Sequence, residues 1–436
     1  MLIVIASILI TPAQALSPLW VFGLPENDQY GATTEDAFSG SHFLNCLAIS
    51  DNGKTIAAGT YDGSIYLLNE TGGLLWNGPV ICGTCFINSF RLSSYGNYLA
   101  VSDSCSAPAS NPAKSIRLMH RSGETLWNYP VGTFVFHSAI SSNGSCTVFG
   151  SYDTVTCFDE NGSSLWNYPI NVPVTSLDLS EDEKSTVAVL DHASVICLNM
   201  SGGVVWKQDF RAINDMKMSG DGKYVCLISS KILSCLDREG ATLWERSLPR
   251  NGIMLDVSDA GNIIVVRTSG GVCSYDLSGN NLWDYRSESL ESHTHPLSPP
   301  PMTLSEDGMY TAFISGQSLI ILTHTGISAG NFSCEEPLSG VAISSGGEEI
   351  VAITENDLYF FKNPAYAPAS AVTTNARQIV LDQPDIGEKV TYRGSESAFS
   401  VFYKPAILPY VLGAFIIVTI STVYYLVRRY RRNGAR

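Results

Sequence analysis

Two short groups of side chains in this 436-residue chain are of types that do chemistry. His293 and His295 alternate close to Glu288 and Glu291, a donor set able to ligate a metal ion. They stand in a Pro/Ser-rich stretch, where alternating histidines equally serve as plain loop polarity, so they are weak metal candidates. The other five histidines stand alone. Cys82, Cys85 and Cys105 form the second group, and in an exported protein Cys105 could join Cys82 or Cys85. The chain has 11 cysteines, an odd number, so at least one is unpaired or bridges to another molecule. Cys157, Cys197 and Cys235 each sit nine residues before a tryptophan, where earlier repeats carry Leu67 and Leu118, and read as small core residues. No Gly-x-Ser-x-Gly elbow, no His-Glu-x-x-His helix and no Gly-rich phosphate loop is present, so no catalytic residue is assigned.

The elements that would position such groups come from an internal repeat. Six tryptophans, Trp76, Trp127, Trp166, Trp206, Trp244 and Trp283, end a Gly-x-x-(Leu/Val)-Trp motif, and from Trp127 their spacings are 39, 40, 38 and 39. A seventh copy is degenerate, with Ala329-Gly330 in place of Leu-Trp after Gly326. A second marker runs out of phase. Ser50, Ser93, Ser141, Ser180, Ser219, Ser258, Ser305 and Ser344 each end a short apolar run, and seven of the eight have glycine three residues on. Such turns need positive φ and join strands as hairpins. A unit near 39 residues fits four strands, here named a to d from the axis outward, the size of a propeller blade.

Eight a-b-c sets precede only seven d strands. Leu19-Trp20, near the start, is a d strand with no blade before it, and it is expected to complete blade eight and close the ring. The expected fold is therefore an all-β, eight-bladed β-propeller over residues 16–363, with all seven tryptophans, Trp20 included, docking blade on blade. The turn-Gly-x-x-Leu-Trp repeat resembles the pyrroloquinoline-quinone-type repeat, and more loosely the WD40-type propeller. That resemblance implies a fold shared by quinoprotein dehydrogenases and by cofactor-free binding propellers. The dehydrogenases carry a vicinal Cys-Cys pair and a calcium-binding carboxylate pattern, neither of which is recognisable here, so no cofactor is expected. Repeat proteins of this kind with a C-terminal anchor resemble surface proteins of methanogenic archaea.

Both termini carry membrane signals. Residues 1–15 read as a signal peptide, an apolar run from Leu2 to Ile10 followed by Ala13-Gln14-Ala15, with an uncleaved anchor as the competing reading. Ala406 to Val427 is uncharged over 22 residues, about 33 Å as a helix, and is expected to span a membrane. The tail 428–436 holds Arg428, Arg429, Arg431, Arg432 and Arg436, which places it in the cytoplasm and the propeller outside. Residues 364–405 then form an extracytoplasmic linker. The formal charge of −15 argues against nucleic-acid binding.

Excess residues at Pro25–His42, Gly78–Ile87, Asp103–Lys114 and Arg286–Pro301 all fall at d–a or b–c connections, hence on one face. Long loops on a rigid scaffold are where binding concentrates. The sequons at Asn69, Asn143, Asn161 and Asn199 fall on the opposite turns, with Asn331 just past one, so glycans there would leave the insertion face open. The expected function is a non-catalytic, membrane-anchored module that binds or scaffolds a protein or envelope-glycan partner. The alternative is a degenerate quinoprotein-type or metal-dependent enzyme on the insertion face.

Overall fold

The computed structural model describes residues 14–25, 44–61, 63–79, 85–105, 114–287 and 301–366. Those residues form eight sheets, seven of four strands and one of five, an eight-bladed β-propeller. Blades one to seven begin at Leu44, Cys85, Val135, Val174, Ile213, Gly252 and Met302, and each runs a, b, c, d. Blade eight takes its strands a to c from Gly340–Ile343, Glu349–Ile353 and Asp357–Lys362. Its fourth strand is Trp20–Gly23, antiparallel to Asp357–Lys362 with Trp20 opposite Phe360, the two rings stacked at 4.9 Å. Among the described residues no helix is long and apolar enough to cross a membrane. The expected linker beyond residue 366, the span 406–427, the tail and residues 1–13 lie outside the described residues.

Strands b and c carry the core because they are buried on both faces. Ser185–Leu190 and Cys146–Ser151 are buried at every position, and their Val, Ile and Ala content suits such strands. Strands d alternate with solvent on the outer wall, as in Thr242–Ser247. The core is accordingly a series of apolar layers between neighbouring blades; one joins Val187 and Leu236 across blades four and five.

The serine marker has a direct cause. In each a–b turn the serine hydroxyl accepts the backbone N–H five residues later, as Ser180 does from Ser185 at 3.0 Å and Ser305 from Tyr310 at 3.0 Å. The hydroxyl then donates onward to a turn carboxylate or amide, Asp182 in blade four and Asp307 in blade seven, both bonds under 2.9 Å. The turn needs a left-handed residue three places on. In blade four alone that place is held by Glu183, at φ +60°, rather than glycine.

The tryptophans lie across blade boundaries. A Cβ on Gly123 would fall 2.0 Å from the Trp76 indole nitrogen, and one on Gly202 would fall 2.9 Å from Trp166 Cβ. Each ring therefore uses the bare glycine of the next blade's c–d turn as its seat. Trp20, Trp206, Trp244 and Trp283 also donate their indole N–H to backbone carbonyls of the following blade's turn, at 2.7–3.0 Å. Burial is less complete than the bulk of an indole suggests: Trp166 is 9 % exposed, and the other six are half-buried.

One strand was not foreseen. Gln14–Ala15 pairs in parallel with strand d of blade seven, Gln14 opposite Gly330 and Ala15 opposite Asn331. This is the degenerate copy without tryptophan. Leu16 packs there beside Ala329 and Phe332 and donates its N–H to Asn331 at 2.7 Å. The last two residues of the expected signal peptide are thus part of the fold, and Asn331 lies inside the strand that follows the turn.

Candidate binding face and axial channel

The roots of all four insertions emerge at the same end of the blades, the end opposite the serine turns. Three of the roots are fixed by polar contacts. Leu24 and Leu44, which flank residues 25–43, donate their N–H groups to Asn356 and Glu355 of blade eight at 2.9 and 2.8 Å. The two strands that flank residues 106–113 share a buried cluster in blade two: Arg117 pairs with Asp103 at 2.8 Å, and Ser115 donates to the same carboxylate oxygen at 2.7 Å. Both ionic side chains are at most 4 % exposed. Beside them the Lys114 ammonium lies 4.0 Å over the Phe134 ring, a cation–π contact. The segment before Met302 ends at Pro301, whose carbonyl accepts from Arg267 at 3.1 Å; Arg267 also reaches the Ile314 carbonyl at 2.9 Å. Burial holds this guanidinium down at about 10.

The register brings two of the three insertion cysteines together. Cys85 and Cys105 are direct partners across strands a and b of blade two. Cys82, His293 and His295 lie outside the described residues. Cys157, Cys197 and Cys235 are buried at 3 % exposure or less, each opposite the tryptophan of its own blade. On the same face a cavity of about 240 Å³ opens between blades five and six, lined by Arg250, Asp284, Tyr285 and Arg286.

The axial channel is lined by strands a. At the place two residues before each marker serine stand Arg91, Asp178, Lys217 and Asp256 from four blades, and small residues such as Ala48, Ala139 and Ala342 from others. The carboxylates tie blade to blade. Asp178 accepts the Met218 N–H at 3.0 Å, Asp215 that of Leu255 at 2.9 Å and Asp256 that of Leu304 at 2.9 Å. Arg91 is open to the channel, yet the protein walls surround it and lower its pKa, an effect that Asp178 opposes. Asp178 in turn leads the attraction that raises Lys217. Burial lifts Asp215 to about 6 and lowers His137 to about 4. The channel cations are thus answered by the chain's own carboxylates. That network had a sequence signal, charges repeating about 39 residues apart beside the serine markers.

At the serine-turn end the channel has an acidic mouth. The residues directly after the marker serines link successive blades through backbone bonds: Asp51 to Ser94, Ser94 to Ser142, Glu181 to Gly220, Asp259 to Glu306 and Ser345 to Asp51, all at 2.9–3.1 Å. Glu181, Asp259 and Glu306 bring carboxylate oxygens within 4.8 Å of one another. Burial, with the charges of Glu181 and Asp51, raises Asp259 to about 7, and burial, with Asp51 and Asp259, raises Glu306 to about 8. The signal was an acid immediately after the serine in these blades.

The sign of the resulting pH effect is fixed. Both carboxyls titrate higher in the folded chain than unfolded, so the stability they contribute is full below about pH 4 and is lost as pH rises through 7 and 8. Thermal unfolding of the full chain is expected to shift down by a few degrees between pH 5 and pH 9. Glu306→Gln, which removes one charge from the crowded mouth, should raise the midpoint at pH 9 and flatten the profile. A midpoint that climbs across this range, or a variant with the parent's slope, would contradict the assignment.

The family model described as outer membrane protein assembly factor BamB matches residues 152–327. Over that stretch the repeats are of the pyrroloquinoline-quinone type. Among solved structures, the C-terminal WD40 domain of Sif2 superposes with a TM-score of 0.62 at 9 % identity, covering 80 % of this chain and 99 % of that one. BamB from Moraxella catarrhalis superposes at 0.56 with 15 % identity, covering 81 % and 99 %. These likenesses agree on the propeller fold. No curated relative matches the chain.

Proposed function

We propose that this chain is a non-catalytic, extracytoplasmic propeller, its ring closed by Trp20–Gly23 and held to a membrane by residues 406–427. It binds a protein or envelope-glycan partner through the insertion face. The observation that carries this reading is that all four insertion roots lie at one end of the blades, with a buried Asp103–Arg117 pair in the strands that flank residues 106–113 and Pro301 held by Arg267. A scaffold of that kind presents variable loops at fixed positions, as binding propellers do. The channel supports the same view, since its charges are spent in tying blades together. The match to the BamB model and the likeness to a WD40 domain favour a protein partner. The sequons at Asn69, Asn161 and Asn199 sit at c–d turns and Asn143 at an a–b turn, so glycans on them would leave the insertion face free. His293 and His295 are proposed to shape this surface rather than to bind a metal.

A photo-crosslinking residue introduced in cells at Arg286, on the insertion face, is expected to yield a discrete adduct. The same residue at Lys223, on the serine-turn face, should yield none. Adducts of equal yield from both faces, or from neither, would refute a binding face at the insertions. In parallel, protease added to intact cells should digest the propeller and spare a tag placed after Arg436. Digestion of the tag without the propeller would reverse the topology.

A further inference from the structure

Among the described residues nine cysteines lie in strands, and the register shows which of them face one another across a ladder. In blade five, strands b and c (Tyr224–Ser229 and Ile232–Asp237) form a hairpin with Ser229 opposite Ile232 and a two-residue loop, Ser230 at φ +56°. The pair closing such a loop exchanges both its backbone hydrogen bonds, and the pairs alternate from there. Counting back, 227 with 234 is a hydrogen-bonded pair, and 228 with 233 and 226 with 235 are not. Cys226 and Cys235 are direct partners at that last, non-hydrogen-bonded site. There Cα atoms stand about 4.5 Å apart with side chains on one face, inside the ~4.4–6.8 Å that a disulfide spans. Both residues are fully buried, in the layer formed with Leu255 and Ile264 of blade six.

Blade three supplies the contrast. Cys157 is opposite Val148 and Cys146 is opposite Asp159, so these two cysteines are diagonal neighbours, two residues out of register. Their sulfurs approach to 2.8 Å as a thiol–thiol contact. Diagonal Cα atoms lie about 7–8 Å apart, past the limit at which a bridge forms without backbone movement.

We propose that Cys226 and Cys235 are joined by a disulfide across the b–c hairpin of blade five, an internal staple, while Cys146 and Cys157 stay thiols. The oxidant is an external disulfide, either a thiol–disulfide carrier protein or oxidised glutathione. One cysteine thiolate attacks it and expels one thiolate, forming a mixed disulfide. The second cysteine thiolate then attacks its partner's sulfur and expels the other. The protein loses two protons and two electrons, and the oxidant leaves as two thiols. The bond forms during folding, before the sheet is covered. Once folded, burial and the contact with Cys235 push the Cys226 thiol up, and the pair is closed to reagents. For its formation in the cell the proposal rests on the extracytoplasmic reading above.

The test refolds the reduced, denatured full chain in a buffer of reduced and oxidised glutathione and blocks free thiols with N-ethylmaleimide in denaturant. The product is then digested with trypsin without reduction. Cleavage after Lys223, Lys231 and Arg238 separates the two cysteines, so the expected product is peptide 224–231 linked to peptide 232–238. Cys146 and Cys157 should both carry the label. The reduced protein, if first folded and then given the same oxidant, should keep Cys226 and Cys235 as labelled thiols. Cys226→Ala should leave Cys235 fully labelled, which excludes a scrambled partner. Recovery of both blade-five peptides unlinked and labelled after oxidative refolding would overturn the pairing, as would a Cys146–Cys157 link of equal yield. Protein taken from native membranes under alkylation separates the two readings. A staple that forms in refolding and is missing from cells would refute the oxidising compartment and leave the pairing intact.

Discussion

Replacing Trp166 with alanine is expected to cost about 3–5 kcal/mol of unfolding free energy, the range for deleting a large buried aromatic. Among the seven tryptophans Trp166 is the one buried to 9 %, and it sits in an apolar layer with Val174, Leu190 and Ile196 of the next blade. Its ring rests on Gly202, so the cavity left behind borders backbone that cannot follow it inward. Trp206 and Trp283 have the same place in their repeats but are half-exposed, so their alanine variants should lose roughly half as much. Urea unfolding of the three variants against the parent, read at constant m, measures this order. Equal losses at all three positions would mean that the ring seats a blade by its backbone bond rather than by burial. Because each blade contacts its neighbours, the largest loss should come with a single cooperative transition rather than the early melting of one blade.

The sequence showed this architecture plainly because the signal belongs to turns and not to strands. Ser180 and its seven equivalents satisfy a backbone N–H in a fixed geometry, and Gly123 and its equivalents seat a ring, so neither residue type can drift without damage. Blade number and blade boundaries followed from these. Glu183 shows the limit of the rule, since there the left-handed place is held by a residue whose carboxylate accepts from Ser145 of the preceding blade. The site was legible only in outline. The insertions could be sorted to a face by counting strands, yet the groups that fix their roots could not. Asp103 and Arg117 are 14 residues apart, and nothing in their spacing announces a buried pair. The mouth carboxylates Glu181, Asp259 and Glu306 come from three separate blades and meet only because the ring returns them to one axis. Parallel pairing of Gln14–Ala15 was hidden for another reason: two residues carry no periodicity, and the strand they join had lost its tryptophan.

The ion pair between the strands that flank residues 106–113 gives the second large effect. Asp103→Ala is expected to destabilise the full chain by about 3–5 kcal/mol, because it takes a carboxylate at 2.8 Å away from the buried Arg117 guanidinium. Arg117→Ala should cost a similar amount by taking the guanidinium away from the buried carboxylate, which also accepts from the Ser115 hydroxyl. The pair itself is a different matter. Two charges removed from water pay for most of their mutual attraction in lost hydration, so Asp103→Leu with Arg117→Met should recover most of the single-variant loss. A double-mutant cycle by urea unfolding reads the coupling directly. Additive losses would show that the two groups act independently and would refute the coupling. If stability returns in the double variant while the crosslink from Arg286 persists and one placed at Lys114 disappears, the pair serves to aim the root of that insertion rather than to stabilise blade two. That outcome would explain why a buried charge pair stands at the base of a loop on the face proposed to bind, where an apolar pair would hold the strands equally well.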